Sequence, residues 1–236
     1  PPSLPPPLGG PPPLFTAQPP RRVSQLLPAK EAIAEFLHEV DYLGVGGFGT
    51  NRIPAALCHE VVRQRKKNLG FAGHTSTHDF QILVGGNCID RCDCAYVVGL
   101  EARGLSLNAR RALESGAIKA AEWSNAALAW RYKAAAMGIP FIPARVMLGT
   151  DTFKYSAAKE ITCPFTGAKL AALPALAPDV ALIHVQKADE FGNCQIEGIT
   201  VADLDLARAA KHVVISTERL IPMEEIRQCP HCTSIP

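Results

Sequence analysis

The chain carries the segment LGVGGFGTNRIP (Leu43–Pro54), in which a glycine-rich turn lies between a short apolar run and a helix-like stretch. Glycine permits the tight backbone path that such a turn needs. The backbone N–H groups of the turn can then converge on an anion or on a polarised carbonyl group. We therefore expect a negatively charged group to bind at this turn.

Three glycines of this turn also fit the spacing of dinucleotide-binding folds. Gly44, Gly46 and Gly49 satisfy the pattern G-x-G-x-x-G. A dinucleotide site also needs an acidic residue about 20 positions later, at the end of the next strand. The next strand candidate covers residues 69–73, and Asp79 follows it late and in a loop. The pattern therefore disfavours nicotinamide or flavin binding and leaves a purely structural turn as the alternative to an anion site.

Composition narrows the class of protein. A chain of 236 residues with 47% hydrophobic content can form one sizeable α/β core, or two small ones at most. A net charge of +2 with 19% charged residues gives no basic stripe, which disfavours nucleic acid and anionic membranes as partners. The sequence has neither an apolar run of membrane-spanning length nor a signal-peptide pattern. We expect a cytoplasmic protein with no membrane association.

Five of the eight cysteines fall into two clusters that need separate interpretation. Cys88, Cys92 and Cys94 alternate as strand residues do and lack a zinc-site spacing, so we predict no metal there. The segment Cys229–Cys232 has the C-x-x-C spacing of thioredoxin-type dithiols but follows a helical segment instead of preceding one. A surface dithiol, or half of a metal site completed by another chain, stays open as an alternative.

The pattern along the chain indicates one folded domain. Residues 1–28 contain 11 of the 20 prolines and predict a tail or packing arm with little regular structure. Residues 29–236 read as a single α/β domain, because apolar helical and strand patterns alternate from Ala29 onward. Helices are predicted near 29–40, from 54, over 79–84, 106–115 and 124–137, and strands over 42–45, 69–72, 94–98, 117–122, 179–185 and 212–216. Such alternation predicts a mostly parallel sheet flanked by helices on both faces.

Four segments of the chain together resemble a known enzyme family. They are Asp41–Pro54, Ala134–Pro143, Cys163–Gly167 and Pro178–Asn193. In order and spacing they resemble the A (alpha) subunit of family I CoA-transferases, most closely the glutaconate CoA-transferase type. The resemblance extends over about residues 29–236, although that family often has glycine at the position of Arg52. The alpha polypeptide of the family usually continues beyond the point where this sequence stops, so the resemblance implies either a clipped chain or an early end.

The resemblance implies a fold, a partner and a reaction. The fold is the one shared with ribose-5-phosphate isomerase and glucosamine-6-phosphate deaminase. In the family, the acyl-CoA thioester is attacked by a glutamate in a Ser-Glu-Asn-Gly motif of the B (beta) subunit. No such motif occurs in this chain. The resemblance therefore implies a hetero-oligomer of A2B2 or larger size, with coenzyme A as a substrate, no permanently bound cofactor, and no nucleophile on this chain.

Candidate substrate-binding residues lie first in the glycine turn. A carboxylate that attacks a thioester produces a tetrahedral oxyanion, and one well-placed donor to it is worth roughly 3 kcal/mol. The backbone of Gly46, Gly47 and Phe48 is the predicted donor, with Thr50 beside it. The planar guanidinium of Arg52 suits the free carboxylate of a dicarboxylic acyl group. Alternatively, Arg52 is a surface arginine at the start of a helix.

Other candidates lie at the ends of later strands. Ser76, Thr77 and Asp79 follow the second strand and face the expected crevice, although Asp79 also fits a helix cap. Asn125 follows the natural N-cap Ser124 and is assigned to acyl contact only by the resemblance. These residues complete the predicted set of substrate contacts.

Two further residues receive mainly structural interpretations. Glu101 is a candidate general base only if its side chain points into the pocket. Alternatively, Glu101 pairs with Arg103 or is exposed to solvent. His184 reads as a core or strand-end histidine. Neither belongs to the predicted set of substrate contacts.

Three functions from different classes remain at this point. The first is the alpha subunit of an acyl-CoA:carboxylate CoA-transferase. The second keeps the fold and makes the chain a subunit of a CoA-thioester hydrolase or a CoA-linked decarboxylase. The third is a non-catalytic ligand-binding or scaffold subunit that uses the same crevice. The sequence of the partner subunit would discriminate between the two enzyme classes.

Overall fold

The computed structural model describes residues 23–97, 99, 104 and 106–236. The helices are α1 (Ala29–Phe36), α2 (Ala55–Arg63), α3 (His78–Gly85), α4 (Leu107–Glu114), α5 (Asn125–Ala136), α6 (Asp151–Lys154), α7 (Asp203–Ala209) and α8 (Met223–Gln228). The strands are β1 (Tyr42–Val45), β2 (Leu69–Thr75), β3 (Ile89–Tyr96), β4 (Lys119–Glu122), β5 (Phe141–Ala144), β6 (Lys159–Thr162), β7 (Lys169–Pro174), β8 (Val180–Ala188), β9 (Cys194–Gln195) and β10 (His212–Leu220).

The main sheet has the strand order β10-β8-β1-β2-β3-β4, and these strands are parallel to one another. Leu43 of β1 is paired with Phe71 on one side and with Val180 on the other. The chain proceeds from β1 outward through β2, β3 and β4, whereas β8 and β10 extend the sheet in the opposite direction. The strand order therefore reverses between β1 and β8, and a crevice forms where such a reversal occurs.

Helices cover both faces of the main sheet, as the alternating pattern predicted. Helices α1 to α4 pack on one face around buried side chains that include Ile33, Leu57 and Phe80. Helices α5 and α7 pack on the other face around Leu128, Tyr132 and Leu206. Both faces of the parallel sheet are thus withdrawn from water, which explains the near-continuous apolar character of its central strands.

Local sequence signals account for the ends of the long helix α5. The Ser124 hydroxyl accepts a hydrogen bond from the Ala127 N–H at 3.2 Å, which satisfies one of the free donors of the first turn. Beyond the last turn, Gly138 adopts a left-handed conformation with φ of +70°. Pro140 then prevents the helix from continuing. The predicted helix over 124–137 is therefore confirmed.

A buried polar cluster fixes α5 against the main sheet. Arg131 of α5 forms an ion pair with Asp93 of β3, and its guanidinium stacks 3.9 Å from the centroid of the Trp123 ring. The Arg131 Nε–H also donates to the Pro174 carbonyl at 2.9 Å. Because these contacts compensate a buried cation, they define the position of α5 and hence of the polar residues at its N-terminus.

The structure adds a small antiparallel sheet that the sequence analysis did not predict. Its strand order is β5-β7-β6, and Ala171 and Leu173 of its central strand are fully buried. The predicted strand over 94–98 is also displaced, because β3 begins at Ile89. The other predicted strands of the main sheet are present, and the short antiparallel strand β9, paired with β8, is an unpredicted addition to them.

The N-terminal region is described in part. Residues 1–22 of the predicted tail lie outside the described residues, and residues 23–28 form neither helix nor strand. The Gln25 N–H donates to the Glu190 carbonyl at 2.8 Å, so this stretch contacts the loop after β8. Among the described residues, no helix combines the length and apolar character needed to cross a membrane.

Candidate functional site

A cleft of about 610 Å³ opens at the carboxyl ends of β1 and β8, where the strand order reverses. One wall is the turn after β1, residues 50–53, and His78 at the start of α3 adjoins it. The opposite wall consists of polar side chains on β8 and β10 and of the loop that follows β9. The cleft thus occupies the position at which open α/β sheets bind ligands.

The predicted anion-binding amides of the glycine turn are already used within the fold. The amide hydrogen bonds are Gly46 N–H to the Leu182 carbonyl at 2.9 Å, Gly47 N–H to Asp203 Oδ1 at 2.9 Å and Phe48 N–H to the Asn51 carbonyl at 3.0 Å. A donor that serves a protein acceptor is not free to bind an oxyanion or a substrate carboxylate. The structure therefore corrects the prediction for these three residues: the turn shapes the cleft and offers no free amide from Gly46, Gly47 or Phe48.

Arg52 is buried beneath the turn and is paired with an aspartate of the same chain. Its guanidinium forms an ion pair with Asp203 of α7 and donates to the carbonyl of Ile199. The exposed fractions of the Arg52 and Asp203 side chains are 4% and 2%. The surface-arginine interpretation is therefore wrong. Nη1 contacts the Asp203 carboxylate and Nη2 contacts the Ile199 carbonyl, so the guanidinium of Arg52 is engaged within the fold and supports the cleft wall.

Two glycines make room for this ion pair. A Cβ atom on Gly46 would lie 2.8 Å from Asp203 Oδ1. A Cβ atom on Gly47 would lie 2.7 Å from the Arg52 carbonyl oxygen, and Gly47 also has a φ of +94°. These spacings explain physically why the turn contains consecutive glycines.

The loop after β2 is joined to the glycine turn by hydrogen bonds. The Thr77 hydroxyl donates to the Gly49 carbonyl at 2.6 Å, and the Gly49 N–H donates to the Thr75 carbonyl at 2.9 Å. Asp79 Oδ1 accepts the Thr77 N–H at 2.7 Å, and burial raises the pKa of this carboxyl group. Ser76, Thr77 and Asp79 are all buried and do not line the cleft. These residues therefore serve the structure of the loop: Asp79 orders the start of α3, which is the helix-cap alternative given for it above.

Asn125, the first residue of α5, contacts the last residue of β2 and does not line the cleft. Its Nδ2 donates to the Thr75 hydroxyl at 3.2 Å, and His74 Nδ1 lies 2.8 Å from the same oxygen. The His74 ring is 6.0 Å from the Phe48 ring, centroid to centroid. Burial lowers the pKa of His74, which favours the neutral imidazole. Asn125, Thr75 and His74 therefore form a hydrogen-bonded cluster of polar side chains next to the glycine turn.

Neither His184 nor Gln186 was assigned to the cleft by the sequence analysis, which interpreted His184 as a core or strand-end residue and did not consider Gln186. His184 lines the cleft, its Nδ1 lying 2.9 Å from the Ser216 hydroxyl and its Nε2 3.5 Å from the Glu218 carboxylate. Gln186 lines the cleft too, and its side-chain oxygen accepts the Glu197 N–H at 2.8 Å. A local signal was present, because His184 and Gln186 interrupt an apolar strand at a spacing of two and so point to the same face.

Of the predicted substrate contacts, Thr50 is the one whose side chain is exposed in the cleft wall. Asn51, Arg52 and Ile53 adjoin it. Glu101, the conditional general base, lies outside the described residues. The cleft therefore presents hydroxyl, amide, imidazole and carboxylate groups, a mixture that suits a polar ligand.

Comparison with known proteins identifies the family. The family model described as Coenzyme A transferase matches residues 27–233. The alpha subunit (A) of the 3-oxoadipate CoA-transferase of Pseudomonas knackmussii is 36% identical, with 84% of this chain and 71% of that protein covered. An uncharacterized protein of Archaeoglobus fulgidus is 50% identical over 88% of this chain, but the chain spans only 47% of its length.

A solved structure gives the same result. The glutaconate CoA-transferase of Acidaminococcus fermentans superposes with a TM-score of 0.85 and 30% sequence identity, covering 89% of this chain and 72% of that one. In sequence, the alpha subunit of that enzyme is 31% identical over 91% of this chain. The predicted resemblance and the predicted fold are confirmed. The chain belongs to the coenzyme A transferase family, and its similarity is to the alpha subunits.

Proposed function

We propose that this chain is the alpha subunit of a heteromeric acyl-CoA:carboxylate CoA-transferase that acts on a short or dicarboxylic acyl group. The observation that carries the proposal is the open cleft at the strand-order reversal, which lies beside the family's glycine turn. Similarity to the alpha subunits of two CoA-transferases supports the reaction class. The chain does not span the full length of these relatives, so the activity of the whole protein is part of the proposal.

The proposed reaction proceeds by acyl transfer to and from a glutamate of the beta subunit. The glutamate carboxylate attacks the thioester carbonyl, and the C–S bond breaks to release the CoA thiolate and leave a mixed anhydride. The thiolate then attacks the glutamyl carbonyl of the anhydride, which releases the first acid and forms a glutamyl-CoA thioester. An incoming carboxylate reverses both steps and leaves with CoA.

The part assigned to this chain is to bind and orient the substrate. Thr50 and Asn51 present exposed polar side chains at one wall, and the half-buried side chains of His184 and Gln186 lie at the other. A thioester held between these walls meets the partner's glutamate with a fixed geometry, and such positioning accounts for a large part of the rate enhancement of bimolecular reactions. Arg52 and Asp203 hold the first wall in place.

The assembly and its setting follow from the same proposal. The partner is a beta subunit that supplies the Ser-Glu-Asn-Gly glutamate, since this motif is absent from the present sequence. We propose an A2B2 or larger hetero-oligomer in the cytoplasm, with coenzyme A entering as a substrate and no permanently bound cofactor.

The test is to express the chain alone and together with the proposed beta subunit, and to assay both preparations for CoA transfer from an acyl-CoA to a free carboxylic acid. We expect transfer by the complex and none by the isolated chain. Release of free CoA without an acceptor would identify a hydrolase, and release of carbon dioxide a decarboxylase. Binding of acyl-CoA with no turnover by the complex would favour the ligand-binding alternative.

A further inference from the structure

A compact group of metal-ligating side chains lies at the end of α8, in a part of the fold that the cleft does not use. Cys229 follows the helix, and one 3-10 turn (Pro230–Cys232) then brings Cys232 back toward it. The Cys232 N–H donates to the Cys229 carbonyl at 3.0 Å and closes this turn. The two cysteines form a disulfide in the structure, with their Cα atoms 5.4 Å apart.

His231 completes the group. The ligand atoms of Cys229, His231 and Cys232 all lie within 4.8 Å of one another. His231 Nε2 is 3.5 Å from the Cys229 sulfur. On a tetrahedral zinc ion, bond lengths of about 2.3 Å to sulfur and about 2.0 Å to nitrogen place the two donor atoms about 3.5 Å apart. The imidazole therefore already has the separation from Cys229 that shared coordination requires.

We propose that the reduced form of this segment binds one Zn²⁺ ion or a similar thiophilic divalent cation through Cys229, His231 and Cys232. Water fills the fourth position, because His231 and Cys232 are exposed to solvent. Two soft thiolates and an imidazole form a donor set that binds zinc in preference to magnesium or calcium. No group of the substrate cleft takes part in this site.

The binding step starts from the dithiol. A thiol reductant supplies two electrons and two protons, which open the Cys229–Cys232 disulfide to two thiols. On binding, each thiol loses its proton to solvent, and each thiolate donates an electron pair to the cation. Metal binding and disulfide formation are therefore mutually exclusive at this site.

The position of the group gives the ion a structural role. The residues that follow it join the edge of the main sheet, since the Ser234 N–H donates to the Cys194 carbonyl at 2.8 Å and the Cys194 N–H donates to the Ile235 carbonyl at 2.7 Å. A cation bound at residues 229–232 fixes the chain between α8 and this contact. Reduced protein should thus become more heat-stable when the ion binds.

The test uses the full chain reduced with a phosphine, which does not itself provide a thiol ligand, and Co²⁺ as a spectroscopic probe. We expect one equivalent of Co²⁺ to produce thiolate charge-transfer bands and the visible bands of a tetrahedral site, and Zn²⁺ to displace it. C229S and C232S should each abolish these bands, and H231A should weaken binding by about tenfold or more. C163S, which removes a half-exposed thiol elsewhere, should bind as the wild type does.

Thermal unfolding provides an independent readout that does not depend on the probe. Zn²⁺ should raise the Tm of the reduced wild type and of C163S, and should leave the Tm of C229S unchanged. Reduced wild type without tetrahedral Co²⁺ bands would overturn the proposal. Bands that persist in either C229S or C232S would overturn it as well.

Discussion

Arg52 and Asp203 are 151 positions apart in the sequence and form a buried ion pair between the glycine turn and the first turn of α7. The second Asp203 oxygen accepts the Gly47 N–H at 2.9 Å, so one carboxylate holds both ends of the turn. Removal of one partner of such a pair leaves an uncompensated charge in the interior. The shape of the cleft wall therefore depends on a residue that does not itself line the cleft.

The first prediction concerns this carboxylate. Asp203→Asn keeps the shape of the side chain and an acceptor for the Gly47 N–H, but leaves the Arg52 cation unpaired. We expect the free energy of unfolding to fall by about 3 kcal/mol, measured by urea denaturation. Asp205→Asn is the matched control, because it makes the same change in the same helical turn at a residue with greater exposure. Equal losses in the two variants would contradict the assigned role of the pair.

The second prediction separates steric fit from backbone conformation in the glycine turn. Gly47 and Gly49 both have positive φ, but only at Gly47 would a Cβ atom contact the backbone, at 2.7 and 2.9 Å. We expect Gly49→Ala to cost about 1 kcal/mol of stability and Gly47→Ala to cost about 2 kcal/mol more, through overpacking. Chemical denaturation of the two variants measures the difference. Similar stability of both would show that the close approach at Gly47 is relieved easily.

The third prediction is a pH dependence that comes from His74. Burial lowers the pKa of His74 in the folded state, so the unfolded chain takes up a proton at a higher pH than the folded chain does. Above the unfolded-state pKa of about 6.5, His74 is neutral in both states and does not affect the free energy of unfolding. As the pH falls below that value, protonation of the unfolded chain lowers the free energy of unfolding.

The measurement is the urea midpoint at about pH 7.5 and about pH 5.5 for the wild type and His74→Asn, which keeps a polar atom near the position of Nδ1. We expect the wild type to lose more stability between the two pH values than His74→Asn does. His59→Asn, at an exposed position of α2, should leave the pH dependence of the wild type unchanged. A His74→Asn variant as pH-sensitive as the wild type would rule out this origin.

The fourth prediction tests whether substrate enters the cleft. Thr50 is exposed at the cleft wall, so Thr50→Trp should fill part of the 610 Å³ volume with little effect on folding. In the complex with its beta subunit, we expect the KM for acyl-CoA to rise by about tenfold or more while the Tm changes little. Thr162→Trp, on an exposed position of β6, is the control. An unaltered KM in Thr50→Trp would place the substrate elsewhere.

Most elements of the main sheet could be predicted because their signals are local. The helical period, the Ser124 cap and the Gly138 stop all lie within a few residues of the structure that they specify. The small sheet was missed for the same reason, since Pro143 and Pro174 argue against strands unless the strand edge or end that tolerates them is known.

The candidate site was predicted less well than the fold, because its contacts are long-range. The sequence identified the glycine turn and Arg52, but it contains no signal that pairs Arg52 with Asp203 or that places β8 beside β1. Without that strand order, His184 and Glu218 could not be assigned to the cleft. The amides of Gly46, Gly47 and Phe48 looked available in the sequence, and only the folded structure shows their acceptors.

The central claim is that this chain shapes the thioester cleft while the partner subunit supplies the attacking carboxylate. The most direct test is to mix the purified complex with acyl-CoA, stop the reaction with acid and measure the intact mass of each polypeptide. We expect a covalent CoA adduct on the beta subunit, with the mass of the present chain unmodified. An adduct on the present chain, with the beta subunit unmodified, would contradict the claim.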